Sequence, residues 1–288
     1  MTTETTTPVE LAHTDRGSGP VVVLLHGGTT GAAPYAASAA LLDPLADLLA
    51  TDHRVVAVDR PGCGASPAET REQLGYRHAE DVVGGLLDRL GIAACHLVGH
   101  GEGGLLALLL AQAGSPRVTS CTVIAGHEAA PTGDSPSQLR LAHQPRPVAS
   151  RRAQAWTLER LSYTPHHLVD GLLDTLAAQA GSEAGVARTT LAEAHTGYLR
   201  TDLLAAKDRL FGFARDTGYD VPITLVWGTH DPLSPVERGV ALMDLLATTR
   251  APLDLQVVNR VGHFPFRERP GEVAELVRSA VRLAEARA

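Results

Sequence analysis

The chain has 288 residues and a formal net charge of −7 at neutral pH. Its charges form no basic stripe, so nucleic acid and anionic membranes are poor partners. With 44% hydrophobic residues, it is long and apolar enough for one large domain or two modest ones. No apolar run approaches the roughly 20 residues of a membrane-spanning helix. We expect a protein that acts on a small molecule, with a homodimer left open.

Composition also predicts the cellular compartment. The first ten residues lack the charged start and apolar centre of a secretory signal. Cys63, Cys95 and Cys121 have no paired spacing, which favours a reducing compartment over a disulfide framework. These features predict a cytoplasmic protein. Lys207 is the only lysine, whereas Arg, Ala and Leu abound. This bias suggests a GC-rich genome, which we associate with specialised (natural-product) metabolism.

Short β-branched runs alternate with helical stretches along much of the chain. Strands are predicted at residues 20–28, 53–64, 95–99, 118–125, 223–227 and 253–258. Helices are predicted at residues 34–49, 79–91, 103–113 and 271–286. Strands that alternate with helices pair in parallel through right-handed crossovers. The sequence therefore predicts an α/β fold with a doubly wound, mostly parallel sheet.

The alternation stops between residues 131 and 218. No strand pattern occurs in this segment, which is helical in character and interrupted by breakers at Pro145, Pro147 and Pro165. We interpret it as an inserted helical lid. The predicted organisation is an α/β core of residues 1–130 and 219–288 with a lid of residues 131–218.

Five loops that follow predicted strands carry motifs. They are LLHGG (24–28), DRPGCGAS (59–66), GHGEGG (99–104), WGTHDPLSP (227–235) and VGHFPFRERP (261–270). Over nearly the whole chain this pattern resembles the α/β-hydrolase fold superfamily. In that superfamily the nucleophile comes first along the chain, the acid second and the histidine third, which is the order of the matching motifs here. The resemblance implies the α/β-hydrolase fold, and it assigns roles residue by residue.

The implied roles form a catalytic site that lacks one member. His263 matches the catalytic histidine, and Asp231 matches the acid that orients it. The backbone N–H groups of Gly28 and Glu102 match the donors of the oxyanion hole. Gly101 matches the nucleophile, normally the serine of G-x-S-x-G. Because glycine carries no side-chain oxygen, no seryl-enzyme can form there.

The turn around Gly101 keeps useful chemistry without a serine. A nucleophile position has strained backbone angles, which glycine adopts at little steric cost. The following helix presents free N–H groups and the positive end of its dipole. Water or part of a substrate can fill the vacant space. His263, oriented by Asp231, can act as a general base next to it.

Other residues near these loops are candidates for binding. The Glu102 side chain binds a substrate hydroxyl, acts as a second base, or is only a solvent-facing or hydrogen-bonded helix-start acid. Thr29 and Thr30 either line the pocket or bond their own turn; a Thr that replaces the missing serine is disfavoured. Trp156 in the lid is taken as substrate-binding together with Thr29 and Glu102. Glu128, beyond the strand at 118–125, is a fallback acid for His263.

Further residues are interpreted as structural. His26 and His100 occupy family turns, and His166 and His167 lack the Cys/His spacing of a metal site. We therefore expect neither a metal ion nor a cofactor. Five lid side chains either shape an apolar cavity or form the lid's own core: Trp156, Tyr163, Tyr198, Leu210 and Phe211.

Four functions are compatible with these residues. The favoured one is an enzyme in which His263 abstracts a proton, an oxyanion hole stabilises the anion, and no acyl-enzyme forms. Its reaction is C–C bond formation or cleavage, or cyclisation, on a bulky apolar substrate. The first alternative is a hydrolase whose water, activated by His263, attacks an ester, lactone or epoxide. The others are a non-catalytic ligand-binding protein and an engineered Ser→Gly variant of an ordinary esterase.

Overall fold

One mixed sheet forms the centre of the computed structural model, which describes residues 10–32, 34–112, 118–131, 141 and 143–287. Within these residues the sheet has seven strands in the order β1-β3-β2-β4-β5-β6-β7. The strands are β1 (His13–Gly17), β2 (Val21–Leu25), β3 (Arg54–Val58), β4 (Cys95–His100), β5 (Val118–Ile124), β6 (Ile223–Gly228) and β7 (Leu253–Val258). All neighbours run parallel except β1, which is antiparallel to β3. The predicted mostly parallel sheet is confirmed.

The sheet is buried on both faces, which explains its continuous apolar strands. In β2, Val22 and Leu24 belong to one hydrophobic cluster, while Val23 and Leu25 belong to the other. Helices cover both faces. The α-helices are α1 (Asp43–Leu49), α2 (Tyr76–Arg89), α3 (Glu102–Gln112), α4 (Arg151–Leu161), α5 (Asp170–Gly181), α6 (Glu183–Ala194), α7 (Thr196–Asp216), α8 (Val236–Leu245), α9 (Pro265–Glu268) and α10 (Pro270–Glu285). Helices α1 and α10 pack on one face and α2, α3 and α8 on the other, so the fold is doubly wound. None of the helices described is both long and apolar enough to cross a membrane.

The described residues between β5 and β6 form helices joined by turns and loops, and no strand occurs among them. They include α4 to α7 and a short 3-10 turn at Pro165–His167. Helix α4 packs on α5, and the long α7 packs on α2 and α3. This segment is called the α4–α7 segment below. Residues 132–140 and 142 of the predicted lid lie outside the described residues, as do residues 1–9 and 113.

Three numbered core elements, β1, α8 and the short α9, were not predicted, and one helix begins later than expected. Strand β1, with the sequence HTDRG, has no apolar pattern and forms because it pairs with the edge of β3. Helix α8 was also missed. The helix expected from residue 34 begins only with a 3-10 turn at Ala39–Leu42, whose N-cap Ser38 accepts a hydrogen bond from Ala40 N, and α1 follows from Asp43.

Candidate active site

The turn between β4 and α3 holds Gly101 at the carboxyl edge of the sheet. Its φ is +51°, a left-handed conformation that glycine adopts without the steric cost of a side chain. A Cβ built there would lie 3.3 Å from Gly27 Cα, 3.7 Å from Glu128 Oε2 and 3.9 Å from Gly28 N. At Gly103, by contrast, a Cβ would overlap the carbonyl oxygen of Leu25. The turn therefore leaves room at position 101 while packing tightly two residues later.

His263 and Asp231 form a buried pair beside this turn. Asp231 Oδ2 lies 2.8 Å from His263 Nδ1, and both side chains are almost fully buried. Asp231 Oδ1 accepts hydrogen bonds from the backbone N–H groups of Leu233 and Ser234, each at 2.8 Å. These bonds fix the carboxylate, and the carboxylate in turn holds the imidazole so that Nε2 is the nitrogen left for chemistry.

The loop that carries His263 is anchored to α4 and the turn after it. His263 N donates to Leu161 O at 2.7 Å. Glu268 Oε1 accepts from Gly262 N at 2.8 Å, and Glu268 Oε2 accepts from the backbone N–H groups of Tyr163 and Thr164, each at 3.0 Å. The sequence did not single out Glu268, although the motif VGHFPFRERP contains it.

The Gly28 amide, expected to be an open oxyanion donor, is engaged in this structure. It donates a 2.5 Å hydrogen bond to Glu102 Oε2. The Gly28 amide is therefore not open to a substrate oxygen in this structure, because the Glu102 side chain folds back from the start of α3 onto it, and the oxyanion-hole role of Gly28 and Glu102 stays a prediction. A carboxylate is an acceptor that such a donor satisfies well. Of the roles weighed for Glu102, a solvent-facing helix-start acid does not fit, since this residue lines a cavity, whereas a hydrogen-bonded helix-start acid agrees with the contact to Gly28 N.

A second histidine–carboxylate pair lies next to Gly101. His127 Nε2 is 2.8 Å from Glu128 Oε1, and Glu128 is 9% exposed. The structure therefore pairs Glu128 with His127, and Asp231 takes the place beside His263 for which Glu128 was the fallback. Among the residues described, Glu128 Oε2 has no hydrogen-bond partner. The rings of His127 and His263 are 5.8 Å apart between centroids.

Glu102, His127 and Glu128, the three titratable groups around Gly101, shift one another's pKa values. Burial, and next the Glu128 charge, raise the pKa of Glu102. Burial alone would raise the pKa of Glu128 too, but the His127 charge and hydrogen bond outweigh it and lower that pKa. Burial opposes charge on His127, yet Glu128, Glu102 and Asp231 raise its pKa to about 9. At neutral pH the His127–Glu128 pair is accordingly ionised, and Glu102 is the carboxyl that most readily holds a proton.

A cavity of about 460 Å³ opens in front of these residues. Its size lies within the usual range for small-molecule sites. Polar groups at its inner end come from Arg60, Glu102, His127, Glu128 and His263. Apolar walls are contributed by several elements, including Leu74, Tyr76, Ala79, Leu141, Leu199, Leu203 and Leu233.

The remaining sequence-predicted residues are divided between the cavity and the framework. Thr29 and Thr30 line the cavity. Trp156 does not: it is half-buried and stacks with Arg160, whose guanidinium lies 3.7 Å from the ring centroid. The prediction that Trp156 binds substrate is therefore wrong for this structure, because α4 directs its side chain towards Arg160 on the surface of the same helix.

None of the other aromatic or apolar side chains named for the lid lines the cavity. Leu210 and Phe211 pack into a hydrophobic cluster with α2 and α3, and Tyr163 is 42% exposed. The α7 residues that do reach the cavity, Leu199, Asp202, Leu203 and Lys207, follow the helical spacing of a single face. That spacing was the signal available in the sequence.

The histidines interpreted as structural have framework contacts. His26 Nδ1 lies 2.9 Å from Gly27 O, and His100 Nε2 lies 3.0 Å from His263 O. His167 Nε2 is 2.8 Å from Ser162 Oγ. Across the described part of the chain, no group of three or more His, Cys, Asp or Glu residues could hold a metal ion.

Known proteins resemble this chain in sequence and in fold. The sequence matches the Alpha/beta hydrolase family over residues 22–276. The chain belongs to this family. It is 27% identical over 259 residues to a 2-hydroxy-6-oxononadienedioate/2-hydroxy-6-oxononatrienedioate hydrolase of Cupriavidus pinatubonensis, covering 87% of this chain and 83% of that protein. It is 39% identical over 95 residues, about a third of each chain, to a 2-hydroxy-6-oxo-6-phenylhexa-2,4-dienoate hydrolase of Burkholderia cepacia.

A solved structure supports the same fold. The meta-cleavage product hydrolase CumD of Pseudomonas fluorescens IP01, in a variant complexed with acetates, superposes with a TM-score of 0.77 at 20% identity. The match covers 96% of this chain and 95% of that one. With relatives named as hydrolases and a family match over most of its length, the chain is an α/β-hydrolase-fold enzyme.

Proposed function

We propose that this enzyme removes a proton from a small, largely apolar carbonyl substrate without forming an acyl-enzyme, and that C–C bond cleavage or formation, or cyclisation, follows. The observation that carries the proposal is the 2.8 Å His263–Asp231 pair facing a cavity of about 460 Å³ beside a nucleophile position without a side chain. Cleavage is favoured among these reactions because the relatives' named substrates contain an enolic hydroxyl group and a ketone.

The dyad can perform this step with the groups it has. Asp231 accepts from Nδ1–H, which leaves the Nε2 lone pair as the base. When Nε2 takes a proton from the substrate, Asp231 stabilises the imidazolium, and the electron pair moves onto a substrate oxygen as an enolate. The N-terminus of α3 supplies the positive end of a helix dipole next to that oxygen.

In this proposal the α4–α7 segment acts as the lid over the cavity. Its helix α7 contributes one wall of the cavity through Leu199, Leu203 and Lys207. A covered cavity excludes water from an anionic intermediate and strengthens electrostatic stabilisation. The division into core and lid at residues 131 and 218 stays a prediction, as do the cytoplasmic location, specialised metabolism and a homodimer.

A second candidate is direct hydrolysis. The space over Gly101, with its nearest neighbour 3.3 Å from a virtual Cβ, can admit a water molecule. His263 would then activate this water against an ester, lactone or epoxide. The relatives' names as hydrolases favour keeping this reaction in view.

His263→Ala tests both candidates, with His166→Ala as the control. The substrates are the two 6-oxo acids named for the relatives, followed by absorbance and product mass. We expect turnover to fall by about 10²- to 10⁴-fold in His263→Ala, since one general base is lost, and to stay unchanged in His166→Ala. Exchange of substrate C–H protons with deuterated water should fall in parallel. A His263→Ala enzyme with full turnover would exclude both, and ligand binding without turnover in the wild type would favour the non-catalytic reading.

A further inference from the structure

The space of the missing nucleophile is bordered by a carboxylate oxygen without a described partner. Glu128 Oε2 lies 3.7 Å from the position of a Cβ at residue 101. A serine hydroxyl would project from that same point. His127 fixes the carboxylate through Oε1 at 2.8 Å and leaves Oε2 directed at the vacant space. A buried carboxylate oxygen without a partner is costly, so it needs a ligand that donates a hydrogen bond.

A second carboxyl is bound to another neighbour of this space. Gly28 N is 3.9 Å from the same virtual Cβ and donates to Glu102 Oε2 at 2.5 Å. The surroundings of Gly101 thus include Glu128, bound to a histidine, and Glu102, bound to a backbone amide. Both residues line the cavity.

The surroundings push these two carboxyls toward opposite protonation states. Burial and the neighbouring Glu128 charge raise the pKa of Glu102, whereas the His127 charge lowers that of Glu128. Pairs of groups separated in this way commonly serve as the acid and the base of one reaction.

We propose that Glu128 and Glu102 form a catalytic base–acid pair that adds a water molecule, held over Gly101, to the carbonyl carbon of a bound substrate. Glu128 Oε2 takes one proton from the water as its oxygen bonds to the carbonyl carbon. The π pair moves onto the carbonyl oxygen, which receives the proton of the Glu102 carboxyl. With an ester, the Glu102 carboxylate takes back a proton from one hydroxyl as the C=O bond re-forms and the C–O bond to the leaving group breaks. The leaving oxygen takes the proton from Glu128, so that the acid and the alcohol or phenol are released and both carboxyls regain their starting states. This inference rests on the proposed function in one respect, that the cavity is the reaction site. It differs in assigning water activation to Glu128 instead of His263.

The test is hydrolysis of 4-nitrophenyl butyrate by the full chain, with Glu128→Gln as the key variant. Gln keeps the size of Glu but cannot accept the proton. We expect kcat to fall by about 10²- to 10⁴-fold with KM changed less than about threefold. Glu80→Gln is the matched control: Glu80 is also a partly buried carboxylate paired with a cation, Arg209, at 2.6 Å, but it lies outside the cavity, and its variant should retain the wild-type rate.

A second measurement does not depend on turnover. In an infrared pH titration, the C=O band of the Glu102 carboxylic acid should persist to higher pH than that of an ordinary glutamic acid, because burial and the Glu128 charge raise its pKa. This band should be lost in Glu102→Gln and retained in Glu80→Gln. Titration of that band at the pH of an ordinary glutamic acid, no hydrolysis by the wild type above buffer, or a folded Glu128→Gln with the wild-type rate would each overturn the proposal.

The two proposals fail in different ways. If His263→Ala abolishes ester hydrolysis while Glu128→Gln does not affect it, water activation belongs to His263 and only the carboxyl pair is refuted. If Glu128→Gln lowers hydrolysis while His263→Ala leaves C–H exchange of the 6-oxo acids intact, only the function assigned to His263 is refuted.

Discussion

At the scale of single residues, the chemistry of the site depends on the groups that surround Gly101, where a serine nucleophile would carry its hydroxyl oxygen. Gly101 keeps the φ of +51° expected of a strained strand-to-helix turn. The His263–Asp231 dyad and two carboxyls lie around it, and a Cβ at this position would contact Gly27 Cα at 3.3 Å and Glu128 Oε2 at 3.7 Å. A serine placed here would find a histidine, a helix N-terminus and a carboxylate already in position.

Gly101→Ser should therefore fold and gain a nucleophile. A Cβ meets Gly27 Cα at 3.3 Å, which asks for a shift of only a few tenths of an ångström. The positive φ costs roughly 1 kcal/mol for a residue other than glycine. We expect a fluorophosphonate probe to label the variant and not the wild type, as measured by intact-protein mass spectrometry.

Gly103→Ser is the matched control, because its Cβ would overlap Leu25 O and should prevent folding. Failure of a folded Gly101→Ser to react would mean that His263 is not placed to activate position 101. A rise in ester hydrolysis by many orders of magnitude would instead favour an engineered origin of the glycine.

At the scale of elements, α9 connects the histidine loop with the α4–α7 segment. Glu268 accepts three backbone N–H groups, from Gly262, Tyr163 and Thr164, and is only 4% exposed. Its neighbour Arg267 donates to Leu41 O and His167 O. Two adjacent charged side chains thus fasten α9 to the histidine loop, to the turns after α4 and to the 3-10 turn at Ala39–Leu42.

Glu268→Gln should destabilise the protein by at least about 2 kcal/mol, because the amide NH₂ faces N–H donors and leaves them unsatisfied. Denaturant unfolding followed by circular dichroism measures this. The control is Glu272→Gln in the exposed first turn of α10, which should change stability by less than about 0.5 kcal/mol. Equal stability of the two variants would contradict the anchoring role of Glu268.

Much of this arrangement could be predicted from sequence, since strand runs and the glycine-rich turns are local signals. The places of His263, Asp231 and Gly101 follow from motifs that end particular strands. Trp156 and Arg160 are four residues apart on α4, so their stacking follows an i, i+4 spacing that the sequence does contain. The direction of the Glu102 side chain was not available, because it folds onto Gly28 N, a neighbour distant in sequence. Pairing of His127 with Glu128 likewise depends on the fold, as the two are adjacent in the chain without any rule that makes them bond.

At the scale of the whole molecule, the buried His127–Glu128 pair couples folding to pH. The pKa of His127 rises from 6.5 to about 9 on folding. A raised pKa means that the folded state holds the proton more tightly, so the contribution is complete below pH 6.5 and is lost as pH rises through 9. At 1.36 kcal/mol per unit, this shift corresponds to about 3 kcal/mol.

Unfolding free energies at pH 6, 8 and 10 provide the measurement. We expect the difference between wild type and His127→Gln to shrink by about 3 kcal/mol over this range, because the variant lacks the titrating group. A difference independent of pH would show that His127 is not ionised in the folded protein.

The contacts of α9 also bear on how a substrate enters. Glu268 binds the turn after α4, and Arg267 binds the 3-10 turn at Pro165–His167. This part of the α4–α7 segment therefore cannot move without breaking several hydrogen bonds. Any opening of the α4–α7 segment would therefore occur around this anchored end. The segment would separate from the core at α7, along Leu199 and Leu203. A substrate would then enter with its reactive carbonyl first and its apolar end last.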